Sequence, residues 1–135
     1  MSSSRQTGRP KWMCPPRLEG WFAEDLDQLP EAAPRHIELI DGDLVVRSPQ
    51  RVWHARAVTG LQVGLTAQAP TGMDVEREMT ILLDKRNRLE PDILATGAPC
   101  YEPNRTFYTP DQVLLVVEVV DKRCAPRRRS RSSSI

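Results

Sequence analysis

The run LLVVEVV at residues 114–120 limits the folds that are open to this chain. Six aliphatic residues surround one glutamate, Glu118, and a near-continuous apolar run is typical of a β-strand that is covered on both faces. A carboxylate in such a strand loses hydration, which costs free energy unless a cation or a hydrogen-bond donor compensates it. The run therefore predicts a deeply buried strand over residues 113–120 and a partner for Glu118.

Length and composition favour a single modest domain. The chain has 135 residues, of which 39% are hydrophobic and 27% are charged, and its 12 prolines predict a loop-rich structure. No apolar stretch approaches the roughly 20 residues that cross a bilayer, and the amino terminus lacks a signal-like apolar region, so we expect a cytoplasmic protein without a membrane partner. Cys14, Cys100 and Cys124 are odd in number and far apart, which favours unpaired thiols over disulfides or a zinc site.

The charges are unevenly distributed along the chain. Of the 19 Lys and Arg residues, four lie in residues 1–17 and six in residues 122–135, whereas all 18 acids lie in residues 18–121, which therefore carry a net charge of −9. Such an acidic body disfavours a preformed phosphate-binding face and fits a site that recruits a divalent cation before it meets a polyanion. We expect a flexible leader over residues 1–17, a domain over 18–121 and a disordered basic tail over 122–135.

Periodicity and turn residues predict a mixed α+β order of elements. HIELIDGDLVV, residues 36–46, predicts a hairpin, because Asp41-Gly42 is a dipeptide preferred in two-residue type I′ turns. Ser48 and Pro49 predict the N-cap and first position of a long helix that continues to residue 68. The other predicted elements are a short helix over 21–29, neighbouring strands over 74–84 and 90–96, and a loop over 97–112.

Three acids with apolar neighbours form the candidate site: Glu38 in IELI, Asp92 in PDIL and Glu118, all on predicted strands. Carboxylates that converge on a sheet repel one another and lose hydration, which is tolerable if Mg²⁺ or Mn²⁺ lies between them. A lone acid in a strand is also commonly exposed at a sheet edge or paired with an arginine. That alternative stays open, more so for Glu38 than for Glu118, where burial costs most.

His54 lies on the apolar stripe of the predicted long helix. We expect it to pack against the core and bond to backbone, with a supporting role beside the hairpin glutamate as the alternative. Trp21 and Trp53 are interpreted as packing residues.

Five segments resemble, in order, the Uma-type restriction endonuclease family of the PD-(D/E)XK nuclease superfamily: RHIELIDGDLVV, SPQRVWH, EREMTILLD, EPDILA and LLVVEVV. The similarity covers about residues 19–120. It implies an α/β restriction endonuclease-like core, a mixed sheet flanked by helices, in which Glu38, Asp92 and Glu118 hold the metal. It also implies a divalent-metal-dependent DNA endonuclease, with Mg²⁺ or Mn²⁺ polarising the scissile phosphate and activating a water.

The chain departs from this family near its carboxyl end. The superfamily's lysine, two residues after the glutamate, is replaced by Val120, and DKRCAPRRRSRSSSI follows where a lysine-bearing helix is expected. We therefore expect a C-terminally incomplete core, truncated and inactive as given, that forms a homodimer or otherwise self-associates through the unfinished edge. Two alternatives stay open: a non-enzymatic nucleic-acid-binding or interaction module that uses the basic tail, and a structural α+β domain without a site.

Overall fold

The computed structural model describes residues 10–97 and 101–121, and these residues form eight β-strands and one α-helix joined by short 3₁₀ helices. This mixed content confirms the predicted α+β class. In chain order the elements are β1 Ile37–Ile40, β2 Asp43–Val46, α1 Val52–Gln68, β3 Asp74–Arg77, β4 Thr80–Asp84, β5 Asn87–Leu89, β6 Ile93–Thr96, β7 Phe107–Tyr108 and β8 Val113–Val117.

The strands divide between two sheets. A five-stranded mixed sheet has the order β2-β1-β5-β4-β7, in which only β4 and β7 run parallel, and a three-stranded antiparallel sheet has the order β3-β6-β8. Helix α1 packs on the three-stranded sheet, chiefly through β3. The buried core between them consists of Val58, Val75, Ile93 and Ala95. The fold thus places β6 against both the helix and its two neighbouring strands.

The hairpin is confirmed. Asp41 has φ 50° and Gly42 has φ 86°, and the type I′ turn requires positive φ at both positions. The turn fixes the register of β1 and β2, with Ile37 opposite Val46. The hairpin therefore carries Glu38 on β1.

The long helix begins later than predicted. Its N-cap is Arg51, with ψ 158°, and the Ala55 N–H donates to the Arg51 carbonyl at 3.1 Å, so the first helical turn starts beyond Ser48 and Pro49. The helix ends at Gln68 as expected. Residues 48–51 instead form an extended connection beside the candidate site.

The segment predicted as one strand over residues 74–84 is two strands in different sheets. β3 and β4 are separated by Glu78 and Met79, and the φ of 62° at Glu78 breaks the extended conformation between them. The pairing predicted with residues 90–96 is confirmed, because β3 pairs with β6. The chain thus passes from one sheet to the other at Glu78, next to the candidate site.

The prediction of a deeply buried strand at residues 113–120 is wrong. β8 ends at Val117 and lies at the edge of the described three-stranded sheet, where Leu114, Leu115 and Val116 are 45% to 60% exposed. The fully buried strand is β6, because it has a strand on each side and α1 over one face. Self-association through the β8 edge stays a prediction.

The predicted short helix forms as a 3₁₀ helix, Ala23–Gln28, and Trp21 before it is buried. Within the described ranges, no helix combines the length and apolar character needed to cross a bilayer. Cys14 is exposed and unpaired, whereas Cys100, Cys124 and the basic tail lie outside the described residues.

Arg88 in β5 is a buried cation, 3% exposed, that joins four parts of the fold. Its Nη atoms donate to both carboxylate oxygens of Asp27, at 3.1 and 2.9 Å, and its Nε donates to Thr80 Oγ1 at 2.9 Å. The carbonyls of Ala23 and Thr106 accept from the same guanidinium at 3.1 and 3.3 Å. All five of its N–H groups are therefore used.

Candidate functional site

The candidate site lies where the two sheets meet. The segment Glu90–Asp92 connects β5 of one sheet to β6 of the other, and these two acids are only 5% and 6% exposed. A cavity of about 300 Å³ opens beside this segment. Its polar lining is contributed by the hairpin, the extended connection before α1, the helix and the sheet junction: His36, Arg47, Ser48, Gln50, His54, Arg77, Glu78, Glu90 and Asp92.

Asp92 is held by three donors from three different elements. The Val119 N–H donates to Oδ2 at 2.7 Å, His54 Nε2 donates to the same oxygen at 3.1 Å, and Arg47 Nη2 lies 3.4 Å from Oδ1. Buried carboxylates need such partners because they have lost their hydration. Asp92 therefore fixes helix α1, the hairpin and the chain after β8 relative to one another.

Glu90, two residues before Asp92, also connects the hairpin to the junction of the two sheets. His36 Nδ1 donates to its Oε2 at 2.7 Å, and an Arg47 N–H donates to its carbonyl. Burial raises the pKa of the Glu90 carboxyl, and the hydrogen bond from His36 opposes that rise. Glu38 accepts the Glu90 N–H at 2.8 Å, so the hairpin glutamate positions the backbone of this segment.

Glu118 is the acid with the most perturbed environment. It directly follows β8, and as a whole residue it is exposed, although the surrounding protein removes part of the hydration of its carboxyl. This partial burial, followed by repulsion from Asp92 and more weakly from Glu38, raises the pKa of Glu118 to about 7, while Arg47 and His54 oppose the rise. Glu118 thus shares its electrostatic surroundings with the other two predicted acids.

The three predicted site residues do not form one tight cluster. Only Glu38 lies on a strand, whereas Asp92 precedes β6 and Glu118 follows β8. Across the residues that the structure describes, no group of three or more His, Cys, Asp or Glu side chains is arranged to hold a metal ion. The set of three metal ligands stays a prediction.

Asp92 and Glu118 nonetheless suit a hard divalent cation. Ile93 pairs with Val117 in the antiparallel register, so the next residues outward, Asp92 and Glu118, face each other at the same end of the sheet. Mg²⁺ is commonly bound through one or two carboxylates while it keeps several waters. A cation would also relieve the repulsion between the two acids. The chemistry of the donors therefore fits Mg²⁺ or Mn²⁺.

His54 is buried as expected but bonds to Asp92 rather than to backbone. Its Nδ1 atom has no hydrogen-bond partner within the described part of the chain. Trp53, predicted to pack, is 42% exposed and meets the His54 ring edge-on with centroids 5.8 Å apart. His54 therefore supports the aspartate of the site rather than the hairpin glutamate.

The residues that sequence analysis missed are His36, Arg47 and Glu90. The hairpin contains a sequence signal for two of them, because His36 and Arg47 lie at equal distances on either side of the Asp41-Gly42 turn and are therefore expected to pair. In the structure the Arg47 N–H donates to the His36 carbonyl at 3.0 Å. Their contacts with Glu90 cross more than 40 positions of the chain, and no local pattern encodes them.

Residues 23–131 match the Uma2 family, whose description is "Putative restriction endonuclease". The chain belongs to this family. The match confirms the predicted family and continues past residue 120, where we expected the likeness to end. Membership indicates a nuclease-type function, and the family description suggests DNA as the substrate. No curated protein matches the chain.

Glu118→Gln is expected to melt about 2 °C higher than the parent in EDTA at about pH 8. The pKa of Glu118 is raised to about 7, above the ordinary glutamate value, so folding favours the protonated form. The stabilisation that protonated Glu118 contributes is fully present below the ordinary pKa of a glutamate. It is lost as the pH rises through about 7, the pKa of Glu118 in the folded chain. We expect only a small gain because solvent screens an exposed residue.

Thermal melts of both proteins at about pH 4 and pH 8 test this expectation. The two melting temperatures should nearly coincide at the lower pH, where Glu118 is mostly neutral in both states. A mutant that is less stable than the parent at the higher pH would mean that ionised Glu118 is stabilised by a partner in the folded chain.

Proposed function

We propose that this chain carries a divalent-metal-dependent phosphodiesterase site for DNA, with Asp92 and Glu118 as the metal ligands. The observation that carries the proposal is the placement of these two carboxylates at facing ends of the paired strands β6 and β8, where Asp92 also lines a polar cavity. Family membership indicates the nuclease class and supports DNA as the substrate of this proposal. The metal dependence is our proposal.

The surrounding residues have distinct tasks in this site. His54 and the Val119 N–H orient the Asp92 carboxylate, and Glu38 holds the backbone of the Glu90–Asp92 segment. Asp92 and Glu118 would hold Mg²⁺ or Mn²⁺, which when bound polarises a phosphate oxygen and lowers the pKa of a coordinated water. Glu38 is a positioning residue here rather than the third ligand predicted from the sequence.

Among the residues that the structure describes, the site has no lysine to activate the attacking water. Val120 stands where the superfamily has a lysine. No described lysine lines the cavity of about 300 Å³ beside Asp92 or the neighbouring cavity that Val120 itself lines. Arg47 is the neighbouring cation, but an arginine stays protonated and cannot accept a proton from water. We therefore propose that the chain binds metal and DNA but hydrolyses DNA at a rate near background.

Mn²⁺ binding tests the metal site without requiring activity. At about 100 times its dissociation constant, Mn²⁺ should stabilise the parent by about 2.7 kcal/mol, because it binds the folded state. Asp92→Asn should lose most of this gain, whereas Glu31→Gln, at an exposed acid remote from the site in sequence, should keep it. Chemical unfolding with Mn²⁺ and with EDTA gives both values. Equal stabilisation of the parent and Asp92→Asn would refute the site.

A further inference from the structure

Arg47 occupies a central position between the hairpin and the sheet junction. It follows β2 directly, and its side chain is 18% exposed. One Nη donates to the Glu90 carbonyl, and the other lies 3.4 Å from Asp92 Oδ1. The guanidinium therefore lies within reach of the aspartate that we propose as a metal ligand.

Arg47 also faces both cavities at this site. The cavity of about 300 Å³ is lined by Arg47 and Asp92, and a second cavity of about 450 Å³ is lined by Arg47 together with Val119 and Val120. No other described arginine lines both. A ligand that enters from either side therefore meets the same guanidinium.

The hydrogen bonds of Arg47 leave part of its donor capacity unused. A guanidinium has five N–H donors, and the described contacts of Arg47 use two, one of them the long 3.4 Å contact. Arg88, whose five N–H groups are all used and whose side chain is 4% exposed, shows what a purely structural arginine looks like in this fold. Arg47 differs from Arg88 both in its spare donors and in its access to solvent.

We propose that Arg47 binds the phosphate group of a nucleic-acid phosphodiester and positions it over Asp92. The planar guanidinium fork matches two phosphate oxygens, and an arginine that is already oriented loses little freedom on binding. This inference rests on the proposed phosphodiesterase function and deepens it, because it assigns the substrate-binding cation of the site. In this proposal Arg47 supplies the positive charge at the phosphate. The replacement of the superfamily's lysine by Val120 then affects the activation of the attacking water and not the binding of the phosphate.

Binding of a single phosphodiester tests this role without cleavage. The probe is the dinucleotide thymidylyl-thymidine in the presence of Ca²⁺, titrated into ¹⁵N-labelled protein while the Arg47 Nε–H signal is followed by NMR. We expect the dinucleotide to shift that signal, and its neutral methylphosphonate analogue to leave it unchanged. A merely structural arginine would not distinguish the two ligands.

Variants give the size of the effect. Arg47→Gln should weaken dinucleotide binding about tenfold, which is typical for loss of a hydrogen bond to a charged group. Arg47→Lys should lose less, because it keeps the charge without the fork. Arg56→Gln, at an exposed arginine of α1, is the matched control and should bind like the parent. Melting temperatures of all variants show that each sample is folded.

The outcomes separate this inference from the proposed function. Unchanged binding by Arg47→Gln, equal binding of the methylphosphonate, or no dinucleotide binding by the parent would each overturn the role of Arg47, whatever the Mn²⁺ result. Loss of binding in Arg47→Gln, combined with equal Mn²⁺ stabilisation of the parent and Asp92→Asn, would support the phosphate site and refute the metal site.

Discussion

Val120→Lys is expected to raise Mg²⁺-dependent nicking of supercoiled plasmid at least about tenfold above the parent. Val120 is two residues beyond Glu118, the position of the superfamily's lysine, and it lines the same cavity as Arg47 and His54. It is 58% exposed, so a lysine there keeps much of its hydration. The new ammonium would stand close to the proposed phosphate and its attacking water, where a positioned cation or proton-transfer group accelerates hydrolysis.

Two further variants decide whether the gain comes from the lysine. Val120→Met adds an unbranched side chain without charge and should stay at the parent's rate. Val120→Lys combined with Asp92→Asn should return to background, and EDTA should abolish the gain in the single mutant. Equal rates for the lysine and methionine variants would show that charge at residue 120 does not reach the reaction.

Arg88→Met is expected to lower the free energy of unfolding by about 3 kcal/mol, because it breaks a buried ion pair by removing one partner. The methionine fills a similar volume, but Asp27 and two backbone carbonyls lose a shared donor. Urea unfolding of the mutant and the parent measures the difference. The loss should appear with and without Mn²⁺, since Arg88 makes no described contact with Asp92 or Glu118.

Asp27→Asn provides the comparison for this ion pair. Asp27 is one-third exposed, so its replacement should cost less, about 1 kcal/mol, because water can reach that end of the pair. Arg56→Ala, at an exposed helix position, should change the free energy of unfolding by less than about 0.5 kcal/mol. An Arg88→Met protein as stable as the Arg56→Ala control would mean that the Arg88 network adds nothing to the fold.

Features encoded in neighbouring residues could be predicted. The Asp41-Gly42 turn specifies its own hairpin because two successive positive φ angles suit few residue pairs. The α+β class and the end of the long helix followed from periodicity. The family followed from segments in a fixed order, and each of these signals is local to a short stretch of chain.

The burial of β8 could not be predicted from its composition. The sequence pattern of an aliphatic run does not distinguish an edge strand from a central strand, because the whole topology determines which strands lie beside it. β6 has an alanine and a threonine among its four residues, yet it is completely buried, since strands flank it on both sides. The strand-end positions of Asp92 and Glu118 depend on the same topology.

The electrostatic partners at the site were equally hidden. His54 was expected to bond to backbone, but its partner is Asp92, 38 positions away, and Arg47 reaches the same acid across 45 positions. The hairpin register predicts that His36 lies opposite Arg47, but the side chains that this pair contacts cannot be predicted from the hairpin alone. Glu90 and Asp92 come into contact with that pair only when the two sheets meet.

The short hydrogen bond from the Val119 amide to Asp92 makes one backbone proton a built-in reporter on the chemistry of the site. The amide nitrogen that carries this proton lies 2.7 Å from an oxygen of the carboxylate that every proposed ligand of the cavity would have to approach. Its chemical shift and its exchange with solvent should therefore change whenever the charge on Asp92 is shared with another group. A spectroscopist could follow occupancy of the site from this one resonance, with no tag on the nucleic acid and no turnover.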